Sequence, residues 1–164
     1  MLTQAQLKSL LRYEPETGQF FWHVSGKGRR ADLRAGTTNN FGYNVIMIQL
    51  ERYVASRLAW LYMTGEWPKE EIDHINRAKG DDRWSNLREA SRAENAANQG
   101  YRDDNTSGHP GVCWDSQKLK WKVQIGPANA RVQKHFVSFD EACSFYRQKA
   151  LELFGEFASA EKVL

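Results

Sequence analysis

The feature that most restricts the fold is a polar stretch, Tyr101 to Gly108 (YRDDNTSG), which has no apolar face. Such a segment reads as a linker, and it splits the 164-residue chain into two small modules. Residues 1–100 are expected to form the first, 101–107 the connection and 108–164 the second. Apolar residues make up 41% and charged residues 26%, so packed cores are expected and global disorder is not. No apolar run approaches the ~20 residues of a membrane span, and the N-terminus lacks an apolar core with a small-residue cleavage site. The two cysteines, Cys113 and Cys143, can make neither a disulfide framework nor a four-Cys zinc site, which suits a reducing cytoplasm. The net charge of +3 permits nucleic-acid binding without demonstrating it.

Periodicity predicts an α+β chain. Thr3 and Gln6 have capping-box spacing ahead of Leu7, Leu10 and Leu11, a helix that Pro15 and Gly18 should end. Strands are expected over Gln19 to Val24 and Tyr43 to Leu50, with a Gly-, Arg- and Asn-rich loop between them. Ala55 to Thr64 reads as a helix closed by Gly65, with Ser56 able to cap it. A short strand, Glu71 to Asn76, leads into a polar loop, and from Asn86 the chain favours one helix up to Gly100. Beyond the linker, three short strands precede a helix over Phe139 to Phe154, with Ala142, Phe145, Tyr146, Ala150 and Leu153 facing inward.

Chemistry concentrates in Ile72 to Asn98. Asp73 and His74 adjoin, Asn86 lies 12 residues beyond His74, and Asn95 lies 21 beyond. Hydrolysis of a phosphodiester needs a base working near neutral pH, which suits His74, and a hard cation on oxygen ligands, which suits Asp73 and the Asn95 amide. Adjacent strand residues point to opposite faces, so the chain should be leaving its strand at this pair. On one continuous helix Arg88, Arg92 and Asn95 would share a face, placing two guanidiniums where phosphates could be held. Asn86 is a good helix cap and could also brace the loop.

The pieces DHIN, DDRWSNLR and EN resemble the ββα-metal motif of HNH endonucleases, particularly the phage and intron-encoded homing type. LLRYEPETGQFFW, GYNVIMIQL and RLAWLYMTGEWP extend the likeness over about the first 100 residues. The resemblance implies His74 as general base, Asp73 and Asn95 as ligands of one Mg²⁺ or Mn²⁺, Asn86 as the residue positioning His74, and Arg57 beside the DNA. It also implies products with 5′-phosphate and 3′-hydroxyl ends, and a bacterial or phage-infected cell as the setting. Two positions depart from the pattern: Ser56 stands where relatives usually have His, and Asp82 where they commonly have Asn. Ser56 is the one feature favouring the alternative, a catalytically inactive DNA-binding protein with a degenerate site.

Residues Asn105 to Phe157 resemble an AP2 DNA-binding domain through NTSGHPGVCW, KWKVQI, FVSFDEA and FGEFA. That implies a three-stranded antiparallel sheet backed by one helix, with the sheet laid in the major groove of double-stranded DNA. Alternation assigns Val112, Trp114, Trp121, Val123, Ile125, Val132 and Phe136 to the helix side. Lys120, Lys122, Gln124, Arg131, Gln133 and His135 fall on the other face or its edges, and these residue types suit phosphates and base edges. The basic loop from Lys27 to Arg30 is a further candidate for backbone contact.

Overall fold

The computed structural model describes residues 1–26, 30–98 and 105–158. It divides into two compact units, Met1–Ala90 and Ser91–Leu164. The sequence places the break later, at residues 101–107; of that stretch, residues 101–104 lie outside the described residues, as do Lys27, Gly28 and Arg29 of the basic loop.

The first unit opens with helix α1 (Gln4–Leu10). Thr3 closes its N-terminus as expected: its hydroxyl accepts from the Gln6 amide, and the Gln6 side chain accepts from the Thr3 amide at 3.0 Å. The helix is shorter than periodicity suggests. Leu11 is extended, and strand β1 (Leu11–Glu14) pairs antiparallel with β2 (Gln19–Trp22). Leu11 and Tyr13 are both buried, with exposed Arg12 between them, so a period of two satisfies this stretch better than a further helical turn.

A three-stranded antiparallel sheet follows, in the order β3 (Thr37–Thr38), β4 (Asn44–Ile48), β5 (Glu51–Val54). The strand expected to reach Leu50 stops at Ile48. Gln49 and Leu50 both have positive φ, 51° and 69°, making a two-residue hairpin turn whose twist suits its flanking strands. Helix α2 (Ala55–Thr64) then ends at Gly65 in the left-handed region, as its composition predicts. One core joins these elements: Leu7, Leu11, Phe20, Ile46, Ile48, Leu58 and Leu61 are almost fully enclosed. Each such side chain contributes about 1.5–3 kcal/mol by leaving water.

Ser56 does not cap α2. The N-cap is Val54, without any side-chain bond, and Ser56 is 2% exposed in the first turn among buried Ala55, Leu58 and Ala59. A small residue is therefore required there for packing. Ser56→His should destabilise the fold by about 1–3 kcal/mol through overpacking. Urea denaturation checks this as a lower midpoint at an unchanged m-value.

The unit ends in a hairpin of β6 (Glu71–His74) and β7 (Leu87–Ala90), joined by the polar loop and a short 3-10 turn, Trp84–Asn86. Here the expected single helix from Asn86 is corrected. Residues 87–90 supply the antiparallel partner that β6 needs, and helix α3 (Arg92–Asn98) begins only after Ser91. Ser91 and Glu94 form the capping pair: the Ser91 hydroxyl accepts from the Glu94 amide, and the Glu94 carboxylate accepts from the Ser91 amide at 2.8 Å. The signal Ser-x-x-Glu was present in the sequence and marks the true start.

In the second unit α3 packs on the C-terminal helix and the 3-10 turn that follows it. Strands β8 (Val112–Asp115), β9 (Lys120–Ile125) and β10 (Val132–Phe136) form an antiparallel sheet in the order β10-β9-β8. Helix α4 (Phe139–Phe154), capped by Ser138, covers one face. Val112, Val123 and Ile125 meet Ala142, Cys143, Tyr146 and Ala150, as alternation predicts. Leu153 departs from expectation: it is 44% exposed, and Phe154 packs on the core instead. Trp114 is half exposed, with its ring edge against Trp121.

Candidate functional site

The β6–β7 hairpin organises the candidate site. Asp73 and His74 both lie inside β6, and His74 is its last residue; the chain turns directly after it, with the Arg77 amide donating to the His74 carbonyl. Both side chains are buried, at 4% and 5% exposure, and they engage different partners. Asp73 pairs in register with Arg88 on β7 and accepts from its Nε at 2.9 Å. His74 Nε2 lies 3.0 Å from Asp82 Oδ1. Arg88 thus does not share a helix face with Arg92 and Asn95; the strand that completes the hairpin carries it instead.

Asn86 ties the loop together and does not cap a helix. Its Oδ1 accepts from the Asn76 amide at 2.9 Å, and its Nδ2 donates to the Asp81 carbonyl at 2.7 Å. Asp81 is gripped in turn by Arg83 and Asn76. The Arg83 guanidinium beside it pulls the Asp81 carboxyl down to about 2.

Asp82 is the residue whose importance the sequence understates. It is 1% exposed, and two distant residues and one nearby hold it. The Tyr13 hydroxyl donates to its carbonyl at 2.6 Å, Asn44 Nδ2 donates to its Oδ2 at 2.9 Å, and His74 occupies its Oδ1. Burial, reinforced by the Asp82 charge, raises the Tyr13 phenol above its ordinary value and keeps it a donor. Gly18 permits the close approach. It has φ 72°, and a Cβ there would stand 2.4 Å from the backbone of Asp82 and Arg83.

The remaining candidates divide cleanly. Arg57 donates to the carbonyls of Pro68 and Glu70, tying α2 to the segment entering β6. Arg92 and Asn95 lie on α3, beyond the boundary of the first unit. In the second unit Arg92, Gln124 and Arg131 line one pocket of about 900 Å³ with Tyr146 and Phe154. Gln124 Nε2 donates to Gln133 Oε1 at 3.0 Å across β9 and β10, and His135 stands opposite Lys122. His135 also reaches Asp115 at 3.0 Å. The Lys118 amide and then His135 hold the Asp115 carboxyl below its ordinary value.

Sequence reasoning missed one basic surface in the first unit. A groove of about 1020 Å³ runs beside the β3–β4–β5 sheet, lined by Arg34 and Arg52, by Asn39, Asn40 and Gln49, and by exposed Phe41. Among the described residues no acidic side chain lines it. Its two arginines stand 18 residues apart in the chain, so no local charge cluster signals the groove.

Oxygen donors suit a hard cation, and among the described residues no group of three or more His, Cys, Asp or Glu is gathered for a metal ion. Among the described residues no helix is long and apolar enough to cross a membrane.

Residues 53–97 match the family model for HNH endonuclease, a span covering α2, the β6–β7 hairpin and nearly all of α3. Over that segment the chain is similar to HNH endonucleases. Comparison with curated proteins finds no match. Among solved structures, one described as "DNA binding and cleavage by the HNH homing endonuclease I-HmuI" is similar at 16% identity and a TM-score of 0.43, over 83% of this chain and 76% of that one.

Proposed function

We propose that the chain is a divalent-metal-dependent DNA endonuclease in which His74 is the general base and the C-terminal module, AP2-like in its sheet and helix, anchors the enzyme on double-stranded DNA. One observation carries the reading: the segment that matches HNH endonucleases holds a buried His74 against Asp82 at the end of β6, with Asn86 bracing the loop beside it. In this reading His74 takes a proton from water. The resulting hydroxide attacks phosphorus, and the 3′-oxygen leaves, giving 5′-phosphate and 3′-hydroxyl ends. Asp73 and Asn95 would hold Mg²⁺ or Mn²⁺, which when bound supplies charge stabilisation to the phosphate and the leaving oxygen. Arg88 orients Asp73 through their 2.9 Å contact, and Arg57 acts as a brace. One such site per chain would nick one strand, and a dimer would cut both.

Several basic surfaces support DNA as the partner. One sheet face carries partly buried Lys122, Gln124 and His135 with exposed Gln133, and Arg131 stands at its edge. Arg92 joins Arg131 at the same pocket. The groove with Arg34 and Arg52 gives the first unit a phosphate-facing surface of its own. The test is a plasmid-nicking assay: supercoiled DNA should convert to nicked circles with Mg²⁺ or Mn²⁺ and stay supercoiled in EDTA. Supercoiled DNA surviving in both metals would instead favour the non-catalytic DNA-binding protein.

Lys122→Ala separates anchoring from cutting. Loss of one phosphate contact should weaken binding about equally on all sequences and reduce the salt slope by about one. Filter-binding titrations at several salt concentrations measure both quantities.

A further inference from the structure

We infer that the outer face of the β3–β4–β5 sheet docks on the minor groove of double-stranded DNA, with Phe41 as an apolar wedge between neighbouring base pairs and Leu50 as a second apolar contact at the other end of β4. The inference rests on the reading of the chain as a DNA-cutting protein. It adds which groove the first unit enters and what it does to the duplex there.

The face exposes apolar surface that the fold does not use. Ile46 and Ile48 point into the core, so Val45 and Met47 turn outward, opposite Thr37 and Arg52 in register. Met47 is half exposed, Phe41 is 75% exposed and Leu50 92%. Single apolar residues on a surface are ordinary, but these border one groove together with Arg34 and Arg52. Phe41 projects from a turn that is already ordered. The Asn39 side-chain oxygen accepts from the amides of Phe41 at 2.9 Å and Tyr43 at 3.0 Å, and the Asn39 amide donates to the Tyr43 carbonyl at 2.8 Å. Capture of the ring therefore loses little backbone entropy. Leu50 has φ 69° in the turn after β4, where Gly or Asn is at ease and a larger L-residue is strained. At its exposure the side chain gives the fold almost nothing in return. A strained, exposed leucine makes sense when the side chain has a partner to bury against.

Chemistry selects that partner. Two arginines without an acidic lining residue, among the described residues, suit a polyanion. Glu51 stands opposite Ile48, on the other side of the sheet, and its carboxylate takes the Tyr53 hydroxyl. The middle of the face is nevertheless apolar, whereas a reader of the major groove would present donors and acceptors there. The minor groove is walled by deoxyribose, and its A·T pairs offer only acceptors, which the amides of Asn39, Asn40 and Gln49 at the rim can meet. At about 6 Å wide that groove admits a sheet only after it has been opened. An apolar side chain driven between base pairs opens it and kinks the duplex, and Phe, Leu and Met beside Arg, Asn and Gln are the residue types such surfaces use.

Energy transfer between dyes on the two ends of a mixed-sequence duplex of about 30 bp reads the bend. The full-length chain is used in EDTA, so that no strand is cut. Transfer should rise when the wild-type chain binds, and netropsin, which fills the minor groove, should cancel the rise. Phe41→Ala should lose at least half of the rise at saturation and bind roughly tenfold more weakly, the loss expected for one unburied aromatic ring. Leu50→Gly should also bind more weakly, while its urea midpoint stays at or above the wild-type value because the turn is relieved; that separates a docking role from a folding one. Wild-type binding without a rise overturns the inference, and so does a rise that survives saturating netropsin. Phe41→Ala bending DNA as the wild type does would overturn it as well. Self-association of the free chain that Leu50→Gly abolishes would give the face to a second copy instead. A chain that bends DNA through Phe41 yet never nicks it in Mg²⁺ or Mn²⁺ keeps this inference and loses the nuclease reading.

Discussion

His74→Ala should cut DNA roughly 10²–10⁴-fold more slowly than the wild-type chain, the loss expected when a general base is removed. Binding should stay near wild type, because His74 is 5% exposed and its observed partner is the internal Asp82. Removal of the imidazole leaves the Asp82 carboxylate with Asn44 still donating to its other oxygen, so the loop keeps part of its support. The Asn86 bonds to Asn76 and Asp81 are untouched. Single-turnover nicking together with an equilibrium binding measurement separates the two effects. A variant that nicks at the wild-type rate would sink the assignment of His74 as base.

Gly18→Ala should be strongly damaging although position 18 lies outside the HNH-like segment. Position 18 has φ 72°, where an L-residue costs about 1–2 kcal/mol. The added methyl would also stand 2.4 Å from the Asp82 and Arg83 backbone, which must then shift. We expect a stability loss of at least about 2 kcal/mol and, in the molecules that remain folded, reduced nicking, because the displaced backbone carries Asp82 away from His74. Gly42→Ala is the control. It has φ 87°, but the nearest atom to its new methyl is the Lys79 side chain at 3.8 Å, so strain arises without collision. It should lose about 1 kcal/mol and keep its nicking rate in the folded fraction. Equal nicking by the two folded variants would show that the approach at Gly18 does not position the site.

The candidate site was legible where its signals are local. Asp73, His74 and Asn86 lie within 14 residues of one another, and the bracing role of Asn86 emerges from one hairpin loop. The C-terminal face pattern was legible in part: alternation puts Val112, Val123 and Ile125 inside, as found, but Lys134, in step with Val132 and Phe136, is exposed, and Trp114 is half exposed. Where helix propensity competed with pairing, the reading failed. Leu87–Ala90 has helix-forming composition, yet β6 requires a partner, and tertiary pairing overrode propensity. Leu11–Glu14 failed likewise, because its true partner lies beyond a turn. Asp82 was legible only as an extra charge. Nothing near it in sequence reveals that Tyr13 and Asn44, 69 and 38 residues upstream, converge on it.

Those two separations bear on how the protein is made. Closing a contact over 69 residues carries an entropic cost that local turns avoid, so the bonds to Asp82 belong among the later events of folding. On a ribosome they cannot form until the loop that contains Asp82 has cleared the exit tunnel. By then the hairpin holding Tyr13 and the sheet holding Asn44 have already emerged. A nascent chain therefore carries every residue of its early motif before it carries an oriented imidazole. His74 thus gains its Asp82 partner only once the loop has joined the strands and helices made before it.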